Sequence, residues 1–263
     1  MSKASVSAQL EAMAASAPAK VSLLWQGMAE DKPWAAYRPD EETVSASTIK
    51  TPLMMALLDR VQRGEYALSA RIEVTEAMIL PDSRFFEQGP GAYSLDEIMR
   101  FMITVSDNSC TNILIRLLGM EAVNGYFASL GLKTTRLERL MLDFDAVAAG
   151  RNNYTTAREQ FMIFSHLYHG GVLTESLRRT ALEVLKDNRD YELFYRYLPR
   201  NLTVAHKSGG LPGLAHDSGI FYRPGGDFYL GIFVSDAPDE ELGPRLIGTM
   251  ARKIWDELER EEA

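Results

Sequence analysis

Strand-like segments occur only near the two ends of this chain, and that placement limits the folds open to it. Residues 19–27 (AKVSLLWQG) and 33–37 read as a strand pair around a polar turn. After residue 202 three more follow: LTVAHKS, HDSGIFY and DFYLGIFVS, with Arg223-Pro224-Gly225-Gly226-Asp227 as the turn between the last two. The stretch between is helical. Residues 46–62 place Leu53, Met54, Leu57, Leu58 and Val61 on one face, and Leu95, Ile98, Met99, Met102 and Ile103 form a second stripe. Ser94 and Glu97 are spaced as a capping box at its start. Further helices are expected over 108–118, 121–130, 156–168 and 175–187, and a long loop over 131–153. Val6, Leu10 and Met13 mark a helix at the start, and Leu246, Ile247, Met250, Ile254, Trp255 and Leu258 mark one at the end. The simplest packing is an α/β (α+β) fold: one antiparallel sheet from both chain ends, flanked by the terminal helices, with an inserted all-α lobe. The expectation is one domain, 1–263, with an α/β lobe (1–44 plus 200–263) and an all-α lobe (45–199). A site would lie between the lobes.

Charge and cysteine content narrow the function. The net charge is −8 and no run of Lys and Arg stands out, so no nucleic-acid partner is expected. The one cysteine, Cys110, allows no intrachain disulfide and no cysteine metal cluster, and reads as a small core residue. The N-terminus has no continuous apolar run, and no stretch approaches the ~20 apolar residues of a membrane span. A cytoplasmic protein without membrane contact is expected, an exported form with a trimmed leader being the alternative. Sequence says nothing of oligomeric state.

Three short strings carry the chemistry: Ser47-Thr48-Ile49-Lys50, Ser106-Asp107-Asn108 and Lys207-Ser208-Gly209. Each has a plain reading, as a helix cap, a cap between helices, and a strand end entering a glycine turn. Each also has a chemical one. Ser47 at a helix start meets unpaired N–H groups that suit a developing oxyanion. Lys50, three residues on, shares its face and serves as base if burial or a neighbouring cation lowers its pKa.

In this order the strings resemble the S-x-x-K, S-D-N and K-[S/T]-G elements of class A β-lactamases and penicillin-binding proteins. The run SLDEIMRFMITVSDNSCTNILIRLLG is similar to the helix–SDN–helix stretch of class A β-lactamases. Arg136-Leu137-Glu138-Arg139 resembles the string that opens their omega loop, and Asn153-Tyr154-Thr155-Thr156-Ala157 the one that closes it. The similarity runs from about residue 19 to the C-terminus. It implies a small-molecule substrate, a covalent acyl-enzyme, and no metal or cofactor. It makes Ser47, Lys50 and Ser106 catalytic, with Ser106 passing a proton to the leaving nitrogen. Ser47 and Gly210 would supply the oxyanion N–H groups. Asn108 would bind the substrate amide and orient Lys50, while Lys207, Ser208 and Gly209 would take the substrate carboxylate. Asp107 reads as structural. His216 stands where the family often carries an arginine for that carboxylate, with a strand histidine paired to Asp217 as the alternative.

The loop departs from the family. The glutamate that activates the deacylating water is replaced by Met141, the following proline by Leu142, and the asparagine that helps hold the water by Asp145. Asp143 and Asp145 read either as replacement bases or as turn residues. His166 and His169 have ligand spacing but suit a helix C-terminus equally. The expectation is therefore a class A β-lactamase-like serine hydrolase with slow deacylation on β-lactam or related amide and ester substrates. The alternatives are a D-Ala-D-Ala-type peptidase, amidase or esterase, or a covalent binder that does not turn over.

Overall fold

The computed structural model describes residues 3–83, 85–87 and 89–262. The chain begins with α1 (Lys3–Ser16), β1 (Lys20–Gly27), β2 (Ala35–Tyr37) and a two-residue strand β3 (Thr43–Val44). A 3-10 turn (Ala46–Ile49) leads directly into α2 (Lys50–Gln62). The middle holds β4 (Arg71–Val74), β5 (Gly91–Ser94), α3 (Leu95–Thr104), α4 (Asn108–Leu118), α5 (Met120–Ser129), α6 (Phe144–Ala148), β6 (Tyr154–Thr155), α7 (Ala157–His169) and α8 (Glu175–Lys186). The chain closes with β7 (Thr203–Leu211), β8 (Leu214–Tyr222), β9 (Phe228–Ser235) and α9 (Leu242–Glu262).

The five long and end strands form one antiparallel sheet in the order β2-β1-β9-β8-β7. Both chain ends meet in it, since Lys20 pairs with Ser235 and Gly27 with Phe228. The sheet is buried on both faces, so its strands read as nearly continuous apolar runs. Alternate residues go to different cores. Val21, Leu23 and Trp25 of β1 and Leu230, Ile232 and Val234 of β9 pack with Val6 and Leu10 of α1 and Ile247, Met250 and Ile254 of α9. Leu24, Ala205, Ile220, Tyr229 and Phe233 point the other way, into the helical lobe around Leu53, Leu57, Met99 and Phe164. Leu10 has no exposed surface, and truncating such a leucine to alanine costs about 2–5 kcal/mol.

Two features lie outside the periodicity reading. The middle of the chain is not purely helical: β4 pairs with β5, and β3 with β6. These strands are two to four residues long, too short to display an alternation. The loop over 131–153 carries α6, capped at its N-terminus by Asp143, whose Oδ1 accepts from the Ala146 N–H at 2.9 Å. The capping box at Ser94 forms as the spacing indicates, with Ser94 N donating to Glu97 Oε2 at 2.8 Å.

Candidate active site

Ser47 lies in the 3-10 turn before α2 rather than in α2 itself, and it is half-buried. The chain enters this turn through Ala46 at φ +44°, a left-handed conformation that a non-glycine residue takes at some cost. Strand β7 passes over the turn so closely that a Cβ on Gly209 would lie 2.9 Å from Ser47 N. That contact is why glycine stands there. β7 is the edge of the sheet, so alternate N–H groups on it lie outside the ladder.

Lys50 begins α2, and its side chain has no exposed surface. Its Nζ lies 2.7 Å from Ser106 O, 2.8 Å from Asn108 Oδ1 and 3.1 Å from Ser106 Oγ. Burial, then the charge of Lys207, pushes its pKa well below the ordinary lysine range, against pulls from Asp107 and Asp82. A neutral amine has two N–H groups and one lone pair. The Ser106 carbonyl and the Asn108 amide oxygen can each accept one N–H, which leaves the lone pair of a neutral amine open to take a proton. Ser106 makes this geometry by adopting φ +60°, which turns both its carbonyl and its hydroxyl towards Lys50. Such a backbone costs about 1–2 kcal/mol, held here by the neighbouring cap. Asp107 Oδ1 accepts from Cys110 N at 2.8 Å and its Oδ2 from Ser83 Oγ at 2.6 Å. Cys110 is buried beneath this cap, and burial pushes its thiol pKa up.

Lys207 is buried, with Nζ donating to Ser208 O at 2.8 Å. Burial brings its pKa down to about 8, against the charges of Asp190 and Asp217. Ser106, Lys207, Ser208, Gly209 and Gly210 line a cavity of about 850 Å³. Arg189, Tyr191 and Arg200 line it as well, as do Gly243 and Pro244 at the start of α9.

His216 is not in this cavity. It is fully buried on β8, opposite Gly209 in the register. Nε2 lies 2.9 Å from Val44 O, while Nδ1 is 2.8 Å from Ala215 O and accepts from Val234 N at 3.2 Å. Burial drops its pKa to about 4, so the ring is neutral at pH 7 and ties β3 to the sheet. Both ring nitrogens thus face backbone groups, which is not the arrangement of a cation presented to a substrate carboxylate. Nor does it pair with Asp217. That carboxylate meets His206, with Oδ1 2.9 Å from His206 Nδ1.

Residues 5–258 match the model of the Beta-lactamase enzyme family. The chain belongs to this family. A β-lactamase of Streptomyces fradiae is 30% identical over 199 residues, covering 72% of this chain and 65% of that protein. The chain thus spans just under two thirds of that relative. A β-lactamase structure from Sphaerobacter thermophilus DSM 20745 superposes with a TM-score of 0.86 at 26% identity, over 97% of each chain. The same fold at 23% identity and TM-score 0.87 is seen in a mutant of PBP-A, an acyl-enzyme complex with penicillin G, covering 97% of each chain.

The loop over 131–153 is closed at its neck. Arg136 and Tyr154 bridge its neck through paired backbone bonds, N to O, at 3.2 and 3.1 Å. Asn153 Oδ1 accepts from the backbone of Glu138 and Arg139, and its Nδ2 donates to Arg139 O. Asn112, which sequence reading passes over, holds the far end: Met141 N donates to Asn112 Oδ1 at 2.7 Å and Asn112 Nδ2 donates to Met141 O at 3.1 Å. Its only signal was its place one turn after Asn108, on the same helix face. Met141 itself is 8% exposed and packs into the helical core. Leu142 sits at φ +59° where the family has proline. Asp143 is occupied as the α6 cap, and Asp145 is exposed in the first turn of α6. Neither lines the cavity.

Proposed function

We propose that this chain is a serine hydrolase that acts through an acyl-enzyme on Ser47, on β-lactam or related amide and ester substrates, with deacylation as its slow step. The observation that carries the reading is Lys50, buried, low in pKa, and bonded to both Ser106 and Asn108. Neutral Lys50 takes the Ser47 hydroxyl proton as Oγ bonds to the substrate carbonyl carbon. The Ser47 and Gly210 N–H groups receive the oxyanion. As the tetrahedral intermediate collapses, the C–N bond breaks and Ser106 passes a proton to the leaving nitrogen, regaining one from Lys50. Lys207 and Ser208 hold the leaving group's carboxylate.

The test is intact-mass spectrometry during incubation with a penicillin and a panel of small esters. A one-to-one adduct on Ser47 is expected, absent in Ser47→Ala. Lys50→Ala is expected to slow acylation about 10²–10⁴-fold, the usual worth of a general base. An adduct at another residue, or normal acylation without Lys50, would overturn the assignment.

A second reading, a D-Ala-D-Ala-type peptidase, amidase or esterase, draws support from the cavity. Besides Lys207 it is lined by Arg189, Tyr191 and Arg200, and its volume of about 850 Å³ suits a substrate longer than a bicyclic lactam. A covalent binder without turnover draws support from Met141. Hydrolysis of an extended peptide or ester in preference to penicillins would favour the peptidase or esterase.

A further inference from the structure

We infer that this chain transfers its acyl group to amines that bear a carboxylate, which enter the cavity once the leaving group has left and are activated there by Ser106 and Lys50. The inference rests on the Ser47 acyl-enzyme reading above. Ser106, Lys207, Ser208 and Gly209 line the cavity, and the loop over 131–153 contributes none of the residues that do. The loop therefore brings no carboxylate into it to activate a water. Gly209 also lies against the turn that carries the nucleophile, since a Cβ on it would fall 2.9 Å from Ser47 N. Through Gly209 the cavity borders the acyl-enzyme.

The groups that break a C–N bond also make one. On the reading above, Ser106 passes a proton to the leaving nitrogen and regains one from Lys50. Run in reverse, the same pair takes a proton from an incoming nitrogen. Ser106 Oγ lies 3.1 Å from Lys50 Nζ, within hydrogen-bond reach. The amine nitrogen bonds to the acyl carbon, and its proton passes to Ser106 Oγ as the Ser106 hydroxyl proton passes to Lys50. Lys50 returns a proton to Ser47 Oγ as the C–Oγ bond breaks. The products are an amide and free Ser47, with no proton gained or lost.

Lys207 selects the acceptor. Its side chain is buried, and of the three N–H groups of its ammonium one is spent, on Ser208 O at 2.8 Å. The other two have no acceptor among the described residues, on a side chain that lines the cavity. A buried ammonium short of acceptors is satisfied by an anion. Asp190 lines the cavity too, but its Oδ1 accepts from Glu192 N at 2.9 Å within its own loop. Water gains nothing from Lys207. An amino acid puts its carboxylate there and its nitrogen beside Ser106, as the leaving group did. In a bicyclic lactam the leaving nitrogen stays tethered to the acyl group and keeps the acceptor out, so the donor must be acyclic.

The test is a chase on the isolated acyl-enzyme. The donor is the S-methyl thioester of N-acetylglycine, whose leaving group has no carboxylate, so acylation does not depend on Lys207. After excess donor is removed, the Ser47 adduct is followed by intact mass in buffer, in glycine and in glycinamide, and the released acid and amides are quantified. Glycine is expected to shorten the adduct lifetime about tenfold or more, with N-acetylglycylglycine as the product, as a hydrogen bond to a charged group allows. In Lys207→Gln the preference for glycine over glycinamide should fall about tenfold; the difference in amine basicity cancels between the two proteins. Ser106→Gly, which suits the φ +60° backbone, should slow transfer about 10²–10⁴-fold. An adduct that glycine leaves untouched overturns the proposal, and so does a preference unchanged in Lys207→Gln. Undiminished transfer in Ser106→Gly overturns it as well, since that would be plain aminolysis of an exposed ester. So does an adduct lost to water too fast to isolate, which requires a hydrolytic base. Absence of any Ser47 adduct with the thioester and with penicillin G overturns the acyl-enzyme reading itself. A penicillin G adduct beside any of the preceding failures overturns the transfer alone.

Discussion

Replacing Met141 with glutamate is the most direct examination of the loop. Acyl-enzyme hydrolysis needs a base aimed at a water beside the ester, and a well-placed one is worth about 10²–10⁴ in rate, or roughly 3–5 kcal/mol of barrier. The position is already fixed for such a group: Asn112 holds Met141 by both its N–H and its carbonyl, so the backbone stays in place when the side chain changes. The substitution has a cost. Met141 is nearly buried in the helical core, and a carboxylate there loses hydration, which lowers stability and raises its own pKa. A raised carboxylate pKa suits a base working near neutrality. The expected wild-type kinetics on penicillin G are a burst of about one equivalent followed by a slow steady state. Met141→Glu should raise the steady-state rate by about ten- to a hundredfold, a part of the full value because Leu142 at φ +59° gives the loop a path of its own. Met141→Gln has nearly the same shape and no base, and should leave the rate unchanged. Absorbance of the lactam gives the burst and the rate, and intact mass gives the adduct occupancy. Fast wild-type turnover without a burst would refute the reasoning. So would equal gains in the glutamate and glutamine variants, which would trace the effect to a loosened loop.

Other outcomes follow from the surrounding groups. The acylation rate should rise with pH as Lys50 loses its proton, and for carboxylate-bearing substrates fall again above pH about 8, where Lys207 becomes neutral; a substrate without a carboxylate should lack the alkaline limb, which rate–pH profiles of kcat/KM would reveal. Asn112→Ala leaves the Met141 N–H and carbonyl unpaired in a buried place, at about 1–3 kcal/mol, so thermal melting should fall by several degrees and loop amides should exchange faster. His216 gives a stability prediction with a definite sign. Its folded pKa of about 4 lies below the ordinary 6.5, so the unfolded chain binds the proton first and stability is lost as pH falls from about 6.5 through about 4. The difference is worth about 3 kcal/mol, and the melting temperature of His216→Gln should be less acid-sensitive than that of the native chain.

How much was legible in the sequence depended on the range of the interaction. The sheet and the terminal helices could be read because their apolar residues repeat along the chain, and Val21, Leu23 and Trp25 have no other use than to meet α1 and α9. The capping box was legible for the same reason, being local. The short ladders β3–β6 and β4–β5 were not, since pairing between residues 43 and 155 leaves no mark within a two-residue strand. The proximity of Lys50, Ser106 and Asn108 followed from the family resemblance and reappears as direct hydrogen bonds.

His216 and Asp82 both depend on partners far along the chain. The position of His216 along the sequence suits a cation, whereas its burial favours a neutral ring. Val44 O and Val234 N already occupy the ring, and transferring a charge to that buried place would cost more than a carboxylate contact returns. Asp82 belongs to none of the three strings and sits in a polar segment between helices. What gives it weight is a bond across 26 residues, from Asn108, set by the fold alone. A residue's chemistry here is fixed less by its type than by which partners are left free once the backbone has taken its share. Lys50 and Asp82 meet the two ends of one asparagine amide. The loop over 131–153 is tied to the same helix through Asn112, which holds the Met141 backbone by both its N–H and its carbonyl.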